Sequence, residues 1–335
     1  FNGTLRTDKP ILIYWCMLAA FNAMGVSELA IRLPSALAGV GTVILTFHLG
    51  RLLFDRRTGL IASCLLTSAL MFAVLARAAT PDSLLILWIT ASLTCFVAGV
   101  AARRGGHFSD DSVGRTDSIV SVCEHGLPTA AWILMYVAIG VAVLAKGPIG
   151  VVMPLGIIGS FLLFFDSPIS LPANANWLRR CVAYFAPQRI WIIANTLHIF
   201  TGAVIVALIA LPWYVAVALQ THGEWVTGFL GTHNIGRFMQ PLEHHRGLPI
   251  YYPIAIMIGF FPASMFLPVA LWSSISTVRK NVTKRYSSAA FLLSWIACYV
   301  GFFTIAATKL PNYVVPCYPA LAIVTATWLI QVVDR

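Results

Sequence analysis

Between Thr232 and Pro249 the chain reads Thr-His-Asn-Ile-Gly-Arg-Phe-Met-Gln-Pro-Leu-Glu-His-His-Arg-Gly-Leu-Pro, so arginines, histidines and a glutamate crowd into one loop. Charged residues make up only 10% of the sequence, and long apolar runs flank this loop on both sides. A water-facing linker needs no such mixture, and hydrocarbon penalises it. The residue types suit capture of an anion, because arginine grips phosphate through a two-pronged fork while lysine supplies a compact point charge. Arg237 and Arg246 are therefore predicted anion ligands. For Arg246 the competing reading is an interfacial anchor beside Tyr251 and Tyr252. Glu243, His244 and His245, with His233 and Asp8, contain the donor types for a divalent metal. Adjacent histidines do not project the same way, however, and no metal-binding spacing of histidines occurs, which favours hydrogen-bonding loop histidines.

A second pattern recurs along the chain: Lys9-Pro10, Arg77-Ala-Ala-Thr-Pro-Asp82, Lys146-Gly-Pro148 and Lys309-Leu-Pro311. In each, a cation sits where a helix starts or stops beside a proline. Snorkelling to the interface explains any one of them. Several converging from separate helices point to a shared site. Asp8 adjoins Lys9 and is expected to orient it, and Asp82 reads as a helix N-cap.

The elements that must position these residues are transmembrane helices. The sequence is 59% hydrophobic with a mean hydropathy of +0.83. Its apolar residues form near-continuous runs over 33–50, 59–76, 83–102, 129–145, 148–165, 192–218, 250–273, 288–307 and 312–331. A helix of about 20 such residues crosses a hydrocarbon core of roughly 30 Å, which predicts about nine transmembrane helices. Lipid offers no partner to a free backbone group, so the fold class is all-α, a polytopic membrane bundle. Residues 10–25 are too short to span and carry Tyr14 and Trp15, which suit an interfacial helix on the outer face. No repeat or soluble segment interrupts the pattern, so residues 1–335 read as one membrane domain.

If the spans alternate, the loops at 51–58, 103–128, 166–191 and 274–287 share one side and hold most of the 22 lysines and arginines. That is the positive-inside bias, and it marks this side as cytoplasmic. The net charge of +10 is thus a topology signal and does not imply a nucleic-acid partner. Arg6, Lys9, Arg32, Arg77, Lys146, Arg237, Arg246 and Lys309 are left on the outer face. The seven cysteines form no CxxC pair and lie mostly in apolar spans, where cysteine behaves as a small hydrophobe.

Taken in order, several motifs carry a resemblance. They are Asn2-Gly-Thr-Leu-Arg-Thr-Asp-Lys-Pro10 with Tyr14-Trp15, Ser27-Glu-Leu-Ala-Ile-Arg-Leu-Pro-Ser-Ala36, Arg77–Asp82, and Leu144-Ala-Lys-Gly-Pro148. Leu211-Pro-Trp-Tyr214, the His233–Pro249 loop, and Lys309-Leu-Pro-Asn-Tyr313 with Pro316 and Pro319 complete the set. It resembles the GT-C type polyprenyl-phosphate-dependent glycosyltransferases, a family that includes bacterial protein mannosyltransferases and the lipid A aminoarabinose transferase. Each motif is weak alone, and the ordered set, covering nearly the whole chain, is specific. Ile11 departs from the second proline common in the family.

The resemblance implies a membrane enzyme moving a hexose or pentose, with inversion, from a polyprenyl-phosphate donor to a lipid, glycan or protein acceptor. The implied setting is the extracytoplasmic face of a bacterial cytoplasmic membrane. Lys9 matches the phosphate-contacting lysine of the family. Arg237, Arg246, Lys146 and Lys309 are expected to join it at the phosphate, with Asp8, Asp82, Arg77 and Tyr313 in support. The family's catalytic aspartate lies in an outer-loop motif that would precede Phe1. The chain is therefore expected to be a fragment without the first transmembrane helix and the first part of that loop, inactive as it stands. The chemistry requires no cofactor, and Asp8 with Glu243, His244 and His245 is the candidate set for a divalent metal. Two other readings stay open: a transporter or flippase of a lipid-linked anion, and a relative that binds the lipid phosphate without catalysis. A transporter should carry charges near the midplane on broken helices, often with an inverted repeat; the span centres here are nearly charge-free.

Overall fold

A computed structural model describes residues 6–103, 126–166, 176, 183–236, 239, 248, 250–280 and 286–334, and all regular structure among them is helical. The apolar runs of the sequence are all built into helices. Helices α2 (Glu28–Leu53), α5 (Asp82–Arg103), α6 (Thr129–Lys146), α9 (Ile199–Gln220), α12 (Tyr286–Ile305) and the Pro311–Val333 helix that ends in α13 (Tyr318–Val333) are each long and apolar enough to cross a membrane. The run 59–76 is a bent pair, α3 (Arg56–Ser68) and α4 (Leu70–Arg77), meeting at 69°. The run 148–165 is the shorter α7 (Ile149–Phe161) continued by a π-helical turn, Leu162–Asp166. The run 250–273 is broken into α10 (Tyr251–Gly259) and α11 (Leu267–Lys280), and a separate helix, α8 (Pro187–Thr196), precedes α9. The chain is a multi-pass membrane protein.

Side chains explain the ends. Ser27 caps α2 by accepting from the Ala30 N–H at 3.2 Å, and Asp55 caps α3 by accepting from the Thr58 N–H at 2.7 Å, each satisfying a donor the first helical turn leaves orphaned. The two breaks satisfy each other: the Leu70 N–H, freed where α3 gives way to α4, donates to the Phe261 carbonyl at 3.2 Å. Ala69, Phe260 and Ala263 around this junction are buried. Backbone polar groups at membrane depth survive only where protein supplies a partner.

The core lies between α3, α5, α7, α12 and α13. There Phe291 stacks on Phe96 at 5.8 Å and meets Phe161 edge-on at 5.6 Å. Helix α9 is the opposite case, with only 11% of its apolar window buried. Leu208 and Leu219 stand 71% and 74% exposed, an apolar surface that suits hydrocarbon. The short α1 (Leu12–Met24) buries Ile13, Met17 and Ala20 at helical spacing, and Ile13 and Met17 cluster with Ala38, Leu84 and Ala145. At 13 residues it cannot span, in keeping with the surface helix expected there.

Hydrocarbon gives little drive for helix association, so close packing of small residues carries it. One close approach of this kind is the α6–α7 hairpin. Lys146 ends α6, Gly147 turns the chain at a φ of +76°, and Pro148 precedes α7. At the second residue of α7, a Cβ built on Gly150 would lie 2.6 Å from the Ala142 carbonyl carbon, a backbone atom that cannot swing aside. Gly150→Ala is expected to cost about 1–3 kcal/mol, read as a lower thermal-unfolding midpoint in detergent. Gly156→Ala, at an open position, should leave the midpoint unchanged; equal midpoints for the two variants would refute this account of the hairpin.

Candidate functional site

Because the spans alternate, one end of the bundle gathers the start of α5, the end of α6, the start of α7, the segment before α1 and the turn between α12 and the Pro311–Cys317 3-10 helix. At their meeting point Asp82 pairs with Lys146. The two side chains are only 10% and 16% exposed. Asn312, from the 3-10 helix, donates its side-chain amide to the other Asp82 oxygen at 3.3 Å. The Lys146 ammonium also lies 5.0 Å from the centre of the Tyr313 ring, a cation–π contact. Asp82 thus spends both oxygens on tertiary partners, and this replaces the N-cap role read from its position.

The segment before α1 is pinned against the far side of this cluster. Trp225 donates its indole N–H to the Arg6 carbonyl at 2.9 Å, and its ring stacks on Phe229 at 4.8 Å. Arg6 grips Asp8 with two donors, at 2.7 and 3.3 Å. Burial pushes the Asp8 carboxyl up, but the hydrogen bond and charge of Arg6, aided by Lys9, outweigh it and hold the group below the usual carboxylate range. The stabilisation from this ionised carboxylate is present above the unfolded pKa and lost as pH falls through the lower folded value. At neutral pH Asp8 is a fixed charge and a weak base. Lys9 lies near enough to act on both Asp8 and Asp82.

Asp8, Lys9, Lys146, His233, Thr308 and Tyr313 line the polar part of a cavity of about 730 Å³. Its remaining wall is apolar, with Leu85, Val152, Phe229, Tyr299, Phe302 and Phe303 among the lining residues. The volume suits a small-molecule site. The pairing of charge with a hydrocarbon-like wall suits an amphiphile with an anionic head.

The structure therefore brings together Asp8, Lys9, Asp82, Lys146 and Tyr313 of the predicted residues. It separates two others. Arg77 is exposed and lines a shallow groove with Glu28 and Arg32, which pair at 2.6 Å. Lys309 is 6% exposed and turns to backbone carbonyls, while its neighbour Thr308 faces the cavity. Arg237, Glu243, His244, His245 and Arg246 lie outside the described residues. Among the described residues no three His, Cys, Asp or Glu side chains come together as metal ligands. Asp8 gives both oxygens to Arg6, which suits it to holding a guanidinium.

Sequence reasoning missed Asn312 and Trp225. Asn312 sat in view inside Lys309-Leu-Pro-Asn-Tyr313, and a polar side chain next to a proline-set helix start was the available signal. Trp225 carried none, since its partner is a backbone carbonyl 219 positions away.

A buried ion that loses its partner costs far more than a pair removed together. Asp82→Ala is accordingly expected to destabilise the protein by about 3–5 kcal/mol, and the double variant Asp82→Ala/Lys146→Met to recover much of that loss. Thermal unfolding of both in one detergent decides it, and a double variant as unstable as the single would rule out the pair as the central contact.

The family model for dolichyl-phosphate-mannose-protein mannosyltransferases matches residues 8–109. An uncharacterized protein of Aquifex aeolicus is 27% identical over 98% of this chain and 54% of its own length. The undecaprenyl phosphate-alpha-4-amino-4-deoxy-L-arabinose arabinosyl transferase of Yersinia enterocolitica is 26% identical over 97% of this chain and 50% of its own. The chain thus spans about half the length of the curated relatives it matches. The crystal structure of ArnT from Cupriavidus metallidurans bound to undecaprenyl phosphate superposes with a TM-score of 0.72 at 22% identity, over 99% of this chain and 53% of that one. An oligosaccharyltransferase of Archaeoglobus fulgidus superposes with a TM-score of 0.58 at 14% identity, over 99% and 46%. Over nearly its whole length the chain is thus similar in sequence to an undecaprenyl phosphate arabinosyl transferase, and it shares its fold with ArnT.

Proposed function

We propose that the protein is a membrane glycosyltransferase that takes a sugar from a polyprenyl-phosphate donor and passes it to a lipid, glycan or protein acceptor. The observation that carries this reading is the cavity, in which Lys9 and Lys146 meet an apolar wall of Phe229, Tyr299, Phe302 and Phe303. A polyprenyl phosphate offers both parts: a charged head for the lysines and a hydrocarbon chain for the rings. The arabinosyl transferase relatives and the ArnT structure holding undecaprenyl phosphate support the same assignment.

In this reaction the bond between the anomeric carbon and the phosphate oxygen breaks while an acceptor hydroxyl attacks the carbon. The negative charge ends on the departing polyprenyl phosphate. Preorganised cations beside that oxygen lower the barrier. Arg6, Lys9 and Lys146 outnumber Asp8 and Asp82 among the charged residues that meet at this end of the bundle. Lys9, which lines the cavity beside its apolar wall, is the principal phosphate ligand in this reading, with Arg237 and Arg246 of the 232–249 loop as its partners. Neither described aspartate is assigned as the base that takes the acceptor's proton, because Asp82 is held by Lys146 and Asn312 and Asp8 by Arg6. By charge placement along the sequence the site faces the extracytoplasmic side of a bacterial cytoplasmic membrane, and residues 1–335 act as a single membrane domain.

A transporter would hold its charges near mid-bilayer on the broken helices. Here the α3–α4 and α10–α11 breaks are built from Ala69, Leu70, Phe260 and Phe261, with no charge between them. In the full-length protein, Lys9→Ala and Arg237→Ala are each expected to lower transfer from a polyprenyl-phosphate sugar by about 100-fold or more, with membrane insertion unchanged. Transfer rates in either variant that match the wild type would remove that residue from the phosphate site.

A further inference from the structure

Lys309 carries the same lysine-and-proline signature as Lys9 and Lys146, yet its ammonium does something else. Three protons are all it has to donate, and three carbonyls stand ready: Thr304 at 2.8 Å, Ala306 at 3.1 Å and Phe303 at 3.3 Å. These lie at the end of α12, which closes at Ile305. Terminal carbonyls of a helix lack intrahelical donors and favour a cation. The Tyr252 ring covers the ammonium at 5.5 Å. No donor is left over for a phosphate.

The turn beyond Lys309 is held from several sides. Leu310 and Pro311 lead directly to Asn312, which donates to Asp82, and to Tyr313, whose ring faces Lys146. Phe303, one of the carbonyls bound by Lys309, also packs its ring on Tyr313 at 5.0 Å. We infer that Lys309 is a positioning residue: it clamps the end of α12 to the start of the 3-10 helix and so holds Asn312 and Tyr313 against the Asp82–Lys146 pair. Methionine would keep the stem without the donors. Arginine would keep the charge, but its planar fork does not match three carbonyls grouped around one nitrogen.

The kinetic half of the test rests on the proposed glycosyl transfer; the structural half does not. In the full-length protein, Lys309→Met and Lys309→Arg are both expected to speed amide hydrogen exchange across Asn312–Cys317. The Kd for undecaprenyl phosphate should stay within about twofold, while kcat for sugar transfer falls on the order of 10–100-fold, as misplacement of a catalytic neighbour does. Asn312→Ala, which cuts the far end of the same connection without exposing a buried charge, should reproduce the kcat loss. The Lys309→Met/Asn312→Ala double variant should be no worse than either single, because coupled residues are not additive. Unchanged exchange overturns the inference, as do additive losses. So does a roughly tenfold loss of undecaprenyl phosphate affinity in Lys309→Met that Lys309→Arg restores, the behaviour of a phosphate ligand. Should the wild-type protein transfer no sugar from any polyprenyl-phosphate donor, the proposed function falls, while exchange and affinity still decide the role of Lys309.

Discussion

A carboxylate and an ammonium at the edge of the hydrocarbon are tolerable only as partners, and the Asp82–Lys146 pair is the contact around which this end of the bundle is organised. It binds the first residue of α5 to the last residue of α6, and through Asn312 and Tyr313 it recruits the Pro311–Val333 helix. The surrounding sequence serves this placement. Gly147 and Pro148 turn the chain immediately after Lys146, and Gly150 lets α7 return against the backbone of α6. Pro311 starts the 3-10 helix that carries Asn312 and Tyr313 to the pair. Since breaking such a pair from one side is far costlier than never having it, each element that holds it is constrained in turn.

The lysine-and-proline and arginine-and-proline motifs look alike in sequence and serve four purposes in the fold. Lys9 faces the cavity. Lys146 is neutralised by Asp82 and stands over Tyr313. Lys309 gathers the carbonyls that end α12. Arg77 remains on the surface beside Glu28 and Arg32. The common pattern reflects a shared physical need, a cation and a proline where a helix meets the interface. The work each cation does depends on which neighbouring helix end arrives beside it.

The cavity extends this division. Its two lysines come from parts of the chain more than a hundred positions apart, while its apolar wall is drawn from α5, α7, α12 and the π-helical stretch Thr227–Gly236. Aromatic packing keeps those parts in place, since Trp213, Tyr214, Trp225 and Phe229 form one cluster under the segment that carries Lys9. The head of an amphiphile and its chain are thus met by elements with separate structural supports.

The amino-acid sequence by itself determined the all-helical membrane architecture and where the apolar helices lie, though about nine spans were expected and, among the described residues, six helices, or seven with the bent pair, are long and apolar enough to cross a membrane. Hydrocarbon makes these local properties: a residue in a span is apolar whatever its neighbours, and a cation marks a helix end regardless of partner. It could not show that the runs 59–76 and 250–273 break, because their missing hydrogen bonds are repaired by each other, through Leu70 and Phe261. Nor could it separate Lys146 and Lys309 from Lys9, or move Asp82 from cap to ion-pair partner. Those roles were decided only by tertiary structure, because the energy of a buried charge depends on the few atoms within a few ångströms of it, and here those atoms belong to helices distant in the chain.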